Sequence, residues 1–96
     1  MFFARWFRRA RPRPDLVFSL FTRQGCHLCE VAEVLLTKAQ KRHQFQLETK
    51  DVDRSPEWVA EYGACVPVVL VNGKVRFRGQ VNEVLLQRIL VHESNA

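Results

Sequence analysis

The chain predicts an α/β fold in which a mixed four-stranded sheet, built from a βαβ unit followed by a C-terminal ββα unit, carries helices on both faces. Three observations lead there. Apolar patterns over residues 16–53 run in the order strand, helix, strand, a βαβ unit whose strands should be parallel with a right-handed crossover. Asn72-Gly73 separates two short β-type runs, and that dipeptide best supplies the positive φ angles of a two-residue hairpin turn. A capped amphipathic segment then closes the pattern.

Leu16 to Thr22, "LVFSLFT", is a short apolar, aromatic and β-branched run before Gly25, and reads as a buried strand. A helix follows from about Cys26 to Arg42, because Leu28, Val31, Ala32, Leu35, Leu36 and Ala39 recur at helical spacing. Glu30 and Glu33 in its first turns, and Lys38, Lys41 and Arg42 in its last, suit the helix macrodipole at both ends. His43 to Asp53 sets Phe45, Leu47 and Thr49 against polar neighbours and reads as the second strand. Ser55 followed by Pro56 is a cap with proline at the first helical position, opening a short helix through Tyr62 that stops at Gly63. Val68–Val71 and Lys74–Phe77 form the hairpin. Asn82 caps a final helix carrying Val84, Leu85, Ile89 and Leu90, with Val81 placed to staple onto Leu86.

With 96 residues, 47% of them hydrophobic, the chain supports one compact domain, read as residues 15–96, behind a basic arm over residues 1–14. The whole charge excess lies in that arm. Five arginines, including Arg13, and no acid occur there, so the net +5 disappears in the body. On a helical wheel at about 100° per residue, Phe2, Phe3, Trp6, Phe7 and Ala10 share roughly one 140° arc free of arginine. The arm reads either as an interfacial helix, making peripheral contact with an anionic membrane through residues 1–11, or as a solvated terminus. A neutral body behind it argues against a nucleic-acid partner. No apolar run reaches the ~18 residues of a membrane span. No secretory signal is read, and the expected location is cytoplasmic, membrane-peripheral if the arm binds lipid.

The chemistry is concentrated in "TRQGCHLCE", Thr22 to Glu30. Three cysteines, Cys26, Cys29 and Cys65, are too few for a disulfide-stapled secreted domain, and a close pair in a reducing compartment is redox-active or metal-binding more often than structural. Cys26 falls at the strand-to-helix junction, where unpartnered N–H groups and the positive end of the macrodipole favour a thiolate. Arg23 and a protonated His27 favour it too, while Glu30 and Glu33 oppose it. Cys29, three residues on, shares a helix face with Cys26 and can resolve a mixed disulfide formed there. A zinc site wants four ligands, and one cysteine pair with Cys65 and three scattered histidines supplies them poorly. Two inert packed thiols fit less well still.

A strand ending in Cys26-His27-Leu28-Cys29, then a helix, a strand and Val66-Pro67 heading a hairpin strand resembles the thioredoxin superfamily, and specifically a glutaredoxin-like protein, over about Val17 to Leu90. The resemblance implies a thioredoxin-like fold and a catalytic pair formed by Cys26 and Cys29. It further implies that Pro67 is a cis-proline lying against that pair, with the backbone at Val66 binding substrate. It makes Arg23 the basic residue that meets a glutathione carboxylate, and Gly79 the first glycine of the turn after the last strand. The chain departs from the family where His27-Leu28 replaces Pro-Tyr between the cysteines. Gln80, Val81 and Asn82 also stand where a second glycine and an acid would follow Gly79. Cys65, two residues before Pro67, is read as a packing residue, with a regulatory thiol as the minor alternative.

The expected activity is that of a small monomeric dithiol-disulfide oxidoreductase with no bound cofactor or metal. It would reduce protein or glutathione disulfides and be regenerated by an external thiol reductant, glutathione being one candidate co-substrate. The alternative is a thioredoxin-fold binding or metal-delivery module without turnover.

Overall fold

The computed structural model describes residues 12–91. The elements follow the predicted order: β1 (Val17–Thr22), α1 (His27–His43), β2 (Gln46–Asp51), a 3₁₀ turn (Val52–Arg54), α2 (Pro56–Tyr62), β3 (Val68–Val71), β4 (Lys74–Arg78) and α3 (Glu83–Val91). The strands lie in the order β2-β1-β3-β4, with β1 parallel to β2 and antiparallel to β3, and β3 antiparallel to β4. The predicted amphipathic helix at residues 1–11 lies outside the described residues.

Alternation along the two central strands builds two cores. Phe18, Leu20, Val69 and Val71 point to one face, where Ala32 and Leu36 of α1 and Leu86, Ile89 and Leu90 of α3 cover them. Phe21 and Val68 point to the other face and meet Val52 and Tyr62. Phe21 lies 4.5 Å from the Tyr62 ring and 5.3 Å from that of Trp58, so the short α2 is held by aromatic packing.

The hairpin is locked to β1 through its turn. Asn72 (φ 51°) and Gly73 (φ 82°) occupy the left-handed region that the turn demands. The Asn72 side-chain oxygen accepts the Val17 N–H at 2.8 Å, and the Asn72 N–H donates to the Val17 carbonyl at 2.8 Å. Glycine at that position would leave both the loop and the start of β1 less constrained. Further along, Arg76 is an extra residue in β4, since Phe77 pairs with Val69 while Val75 pairs with Leu70. This bulge turns Val75 toward the α2 face and Phe77 toward the opposite core, although residues two apart in a regular strand share a face.

Three expectations are corrected. The second strand begins at Gln46, not His43, and ends at Asp51. His43 is the last residue of α1, buried along the stripe Cys29, Ala32, Leu36, His43, and Gln44 ends the helix in the left-handed region at φ 55°. The apolar stripe of α1 is also rotated. Leu28 (49% exposed) and Val31 (43%) face solvent, while Cys29 takes a place in the core-facing row. In α3, Val84 is exposed, and Leu86 rather than Val84 joins Ile89 and Leu90 inside, packed in one cluster with Val81. Each rotation follows from which neighbour covers the helix, which hydrophobic spacing alone leaves undetermined.

Arg13, counted by composition with the basic arm, is 7% exposed and belongs to the packed body. Its guanidinium donates to both Asp15 carboxylate oxygens at 3.2 and 3.0 Å, and to the Leu90 and Ile89 carbonyls at 2.7 and 3.3 Å. Its N–H donates to the His43 carbonyl at 2.6 Å. One side chain thus caps the last turn of α3, where carbonyls lack helical partners and the macrodipole favours a cation, while its backbone ties down the end of α1.

Candidate active site

β1 ends at Thr22, and a turn closed by the Cys26 N–H on the Arg23 carbonyl at 3.2 Å carries the chain into α1. Gly25, at φ +80°, adopts the backbone that lets this turn present Cys26 as the N-cap of α1. The Cys26 sulfur accepts the Cys29 N–H at 3.1 Å, the bond by which a serine or aspartate cap satisfies a free helical amide. Cys26 and Cys29 form a disulfide, with Cα atoms 5.2 Å apart. Cys29 is 3% exposed, whereas Cys26 is only partly buried, so the sulfur reached from solvent is that of Cys26.

The other predicted site residues gather at the same end of the sheet. Val68, the first residue of β3, pairs with Phe21 near the end of β1, which brings the preceding Val66-Pro67 alongside the thiol loop. The Val66-Pro67 bond is cis, as the resemblance implied. Gly79 follows the end of β4, and its N–H is shared between the Pro67 carbonyl at 2.8 Å and the Cys65 carbonyl at 3.0 Å. Cys65 is a free thiol, partly buried against the Phe21, Val52, Tyr62 and Val68 cluster. Its surroundings are those of a packing residue.

Arg23 is placed beside the pair but is already engaged. Its Nε and Nη2 donate to the two carboxylate oxygens of Asp53 at 3.1 and 2.9 Å, and its Nη1 donates to the Gly63 carbonyl at 3.3 Å. This fork ties the thiol loop to the 3₁₀ turn and to the end of α2, and Asp53 was not among the residues singled out from sequence. No short-range signal marks it, because its partner is thirty residues away. The hydrogen bond from Arg23 and the charge behind it hold the Asp53 carboxyl below its ordinary value of 3.8, against a smaller opposing effect of burial. The Asp53 hydrogen bond and charge raise Arg23 in return.

A carboxyl depressed by folding contributes stability above its unfolded pKa, and that contribution is lost as pH falls through the folded value. Asp53→Asn is therefore expected to be less stable than the wild type near neutral pH. The gap should narrow as pH drops below 3.8, measured as urea midpoints across an acid series. A gap independent of pH would show that the Arg23 pair carries no charge-linked stability.

Among the described residues, no three of the His, Cys, Asp and Glu side chains come together as a metal-binding group. No described helix is long and apolar enough to cross a membrane. At the sheet end a helix-capping sulfur is bonded to a buried one, an arrangement suited to redox exchange of a disulfide for two thiols.

Comparison with known proteins agrees with this geometry. Residues 18–91 match the model of a glutaredoxin-like domain (DUF836). The solution structure of protein Ne2328 from Nitrosomonas europaea superposes with a TM-score of 0.69 at 26% identity, covering 78% of this chain and 91% of that one. A thioredoxin variant from Halobacterium salinarum gives a TM-score of 0.62 at 21% identity, covering 79% of this chain and 72% of the other. Oxidized mitochondrial thioredoxin 3 from Saccharomyces cerevisiae gives 0.59 at 20% identity, with coverages of 81% and 78%. A search of curated protein sequences finds no match. The fold is thus thioredoxin-like, and the disulfide-bonded Cys26-Cys29 pair supports a redox role within it.

Proposed function

The chain belongs to the glutaredoxin-like domain family, and on that premise we propose that it is a dithiol-disulfide oxidoreductase acting on protein or glutathione disulfides. The observation that carries this reading is the Cys26 sulfur, capping α1, accepting the Cys29 N–H at 3.1 Å and reachable from solvent while its partner is buried. In the reduced protein the Cys26 thiolate attacks one sulfur of a substrate disulfide, forming a mixed disulfide and expelling the other sulfur as a thiolate that takes up a proton. The Cys29 thiolate then attacks the Cys26 sulfur, closing the Cys26-Cys29 bond and releasing the second substrate thiol. Two electrons pass from protein to substrate, and an external thiol reductant restores the pair.

Buried Cys29 is suited to the second step because it lies within disulfide reach of Cys26 on the same helical turn and is shielded from other thiols in solution. The helix N-terminus favours the thiolate of Cys26 over that of a free cysteine. The protein is expected to reduce a disulfide substrate when coupled to glutathione with its reductase or to a thioredoxin-type reductase. Absence of turnover with both donors, together with slow alkylation of Cys26 near neutral pH, contradicts the reading.

A further inference from the structure

The disulfide opens onto a cleft of about 450 Å³, lined by Arg23, Cys26, Cys29, Glu30, Glu33 and Asp51 among others. Its charge is unbalanced. Glu30 and Glu33 project from the first turns of α1, and Asp51 stands at the end of β2. Arg23 is the one cation of that lining among the described residues, and both arms of its fork rest on Asp53, outside the cleft wall. The position from which a basic residue would meet a substrate carboxylate is therefore served by a carboxylate of the chain itself. His27 lies outside that lining, 3.9 Å from Glu30.

We infer that the site takes disulfides carried on cationic segments, peptides or proteins with lysine or arginine beside the cysteine, in preference to anionic disulfides such as that of glutathione. This rests on the oxidoreductase reading above. The warrant is that like charges brought into a cleft beside three carboxylates are repelled, whereas cations are concentrated there, and such focusing changes encounter rates by ~10 to 10³-fold at low salt. The chemistry is the exchange already described: the protein dithiol is oxidised, the substrate disulfide is reduced, and the protons end on the two released thiols.

The test uses the full chain, reduced with dithiothreitol and desalted. It is mixed with one of two symmetrical peptide disulfides of equal length, the cysteine flanked by lysines in one and by glutamates in the other. Their intrinsic reactivity toward free dithiothreitol is measured and divided out. At about 20 mM salt the lysine peptide is expected to react about tenfold faster or more, and near 0.5 M salt the ratio should fall toward unity. The Glu30→Gln/Glu33→Gln double variant should lower the ratio severalfold at low salt. Any general change in thiol reactivity acts on both peptides alike and cancels in the ratio, which separates charge selection from altered nucleophilicity. Equal rates, faster reaction of the glutamate peptide, or a lysine preference unchanged by both salt and the double variant overturns the inference and leaves the oxidoreductase reading intact. Consumption of neither peptide overturns both.

Discussion

Cys26→Ser is expected to lower disulfide reduction by more than ~10³-fold, because the hydroxyl that replaces the thiolate is not a nucleophile toward sulfur at neutral pH. The serine still caps α1, since its oxygen can accept the Cys29 N–H that the sulfur now accepts at 3.1 Å. Fold and stability of the reduced protein should therefore change little, and circular dichroism separates lost chemistry from lost structure. Cys65→Ser provides the contrast. Its thiol packs among Phe21, Val52, Tyr62 and Val68, so its loss should be felt in stability while the rate stays near that of the wild type. Full activity in Cys26→Ser, with loss in Cys65→Ser, would reverse the assignment.

The largest expected effect on stability comes from Arg13→Ala. The substitution leaves the Ile89 and Leu90 carbonyls and the Asp15 carboxylate without the guanidinium that now serves all three. Orphaning buried acceptors costs about 1–3 kcal/mol each, and Asp15, being partly exposed, recovers some hydration. A net loss of about 2–4 kcal/mol follows, lowering Tm by roughly 10–20 °C in a domain of this size. Arg13→Lys keeps the charge but not the fork, and should fall between the two. Thermal unfolding of the three proteins decides it, and an Arg13→Ala midpoint equal to the wild type would show that the contacts contribute nothing net.

Arg13 also marks where reading the sequence stops. By composition it belongs with the arm's other arginines, and only the packing of α3 against α1 reveals a carbonyl cluster waiting for it. Local chemistry was legible wherever the cause is local. Ser55-Pro56 opens α2, Asn72-Gly73 turns the hairpin, and the Asn82 side-chain oxygen accepts the Leu85 N–H at 3.0 Å. The Cys26-x-x-Cys29 spacing at a strand end likewise announced a disulfide-forming pair at a helix start. Features set by distant partners were not legible. The bulge at Arg76 depends on the register of β3 against β4, the outward turn of Leu28 and Val31 depends on the sheet lying on their other side, and the Arg23-Asp53 pair joins two loops far apart in sequence. Hydrophobic periodicity reports that a helix has an inside, but not which of two adjacent rows will be covered.

That last point bears on the pair itself. An apolar row drawn through Leu28 and Val31 leaves Cys29 at its margin, whereas the observed row through Cys29, Ala32 and Leu36 places this thiol in the core. The difference in exposure between Cys26 and Cys29, on which the proposed division into attacker and resolver rests, is thus a consequence of how α1 is seated on β1 and β3.

The most direct measurement of that division uses the Cys29→Ser protein, reduced, desalted and mixed with a peptide disulfide. With the resolving thiol gone, the first exchange proceeds and the second cannot, so one peptide should remain bonded to the protein, and tandem mass spectrometry should locate it on Cys26. An adduct on Cys65, or no adduct while the wild type consumes the same peptide, contradicts the assignment of Cys26 as the attacking thiol.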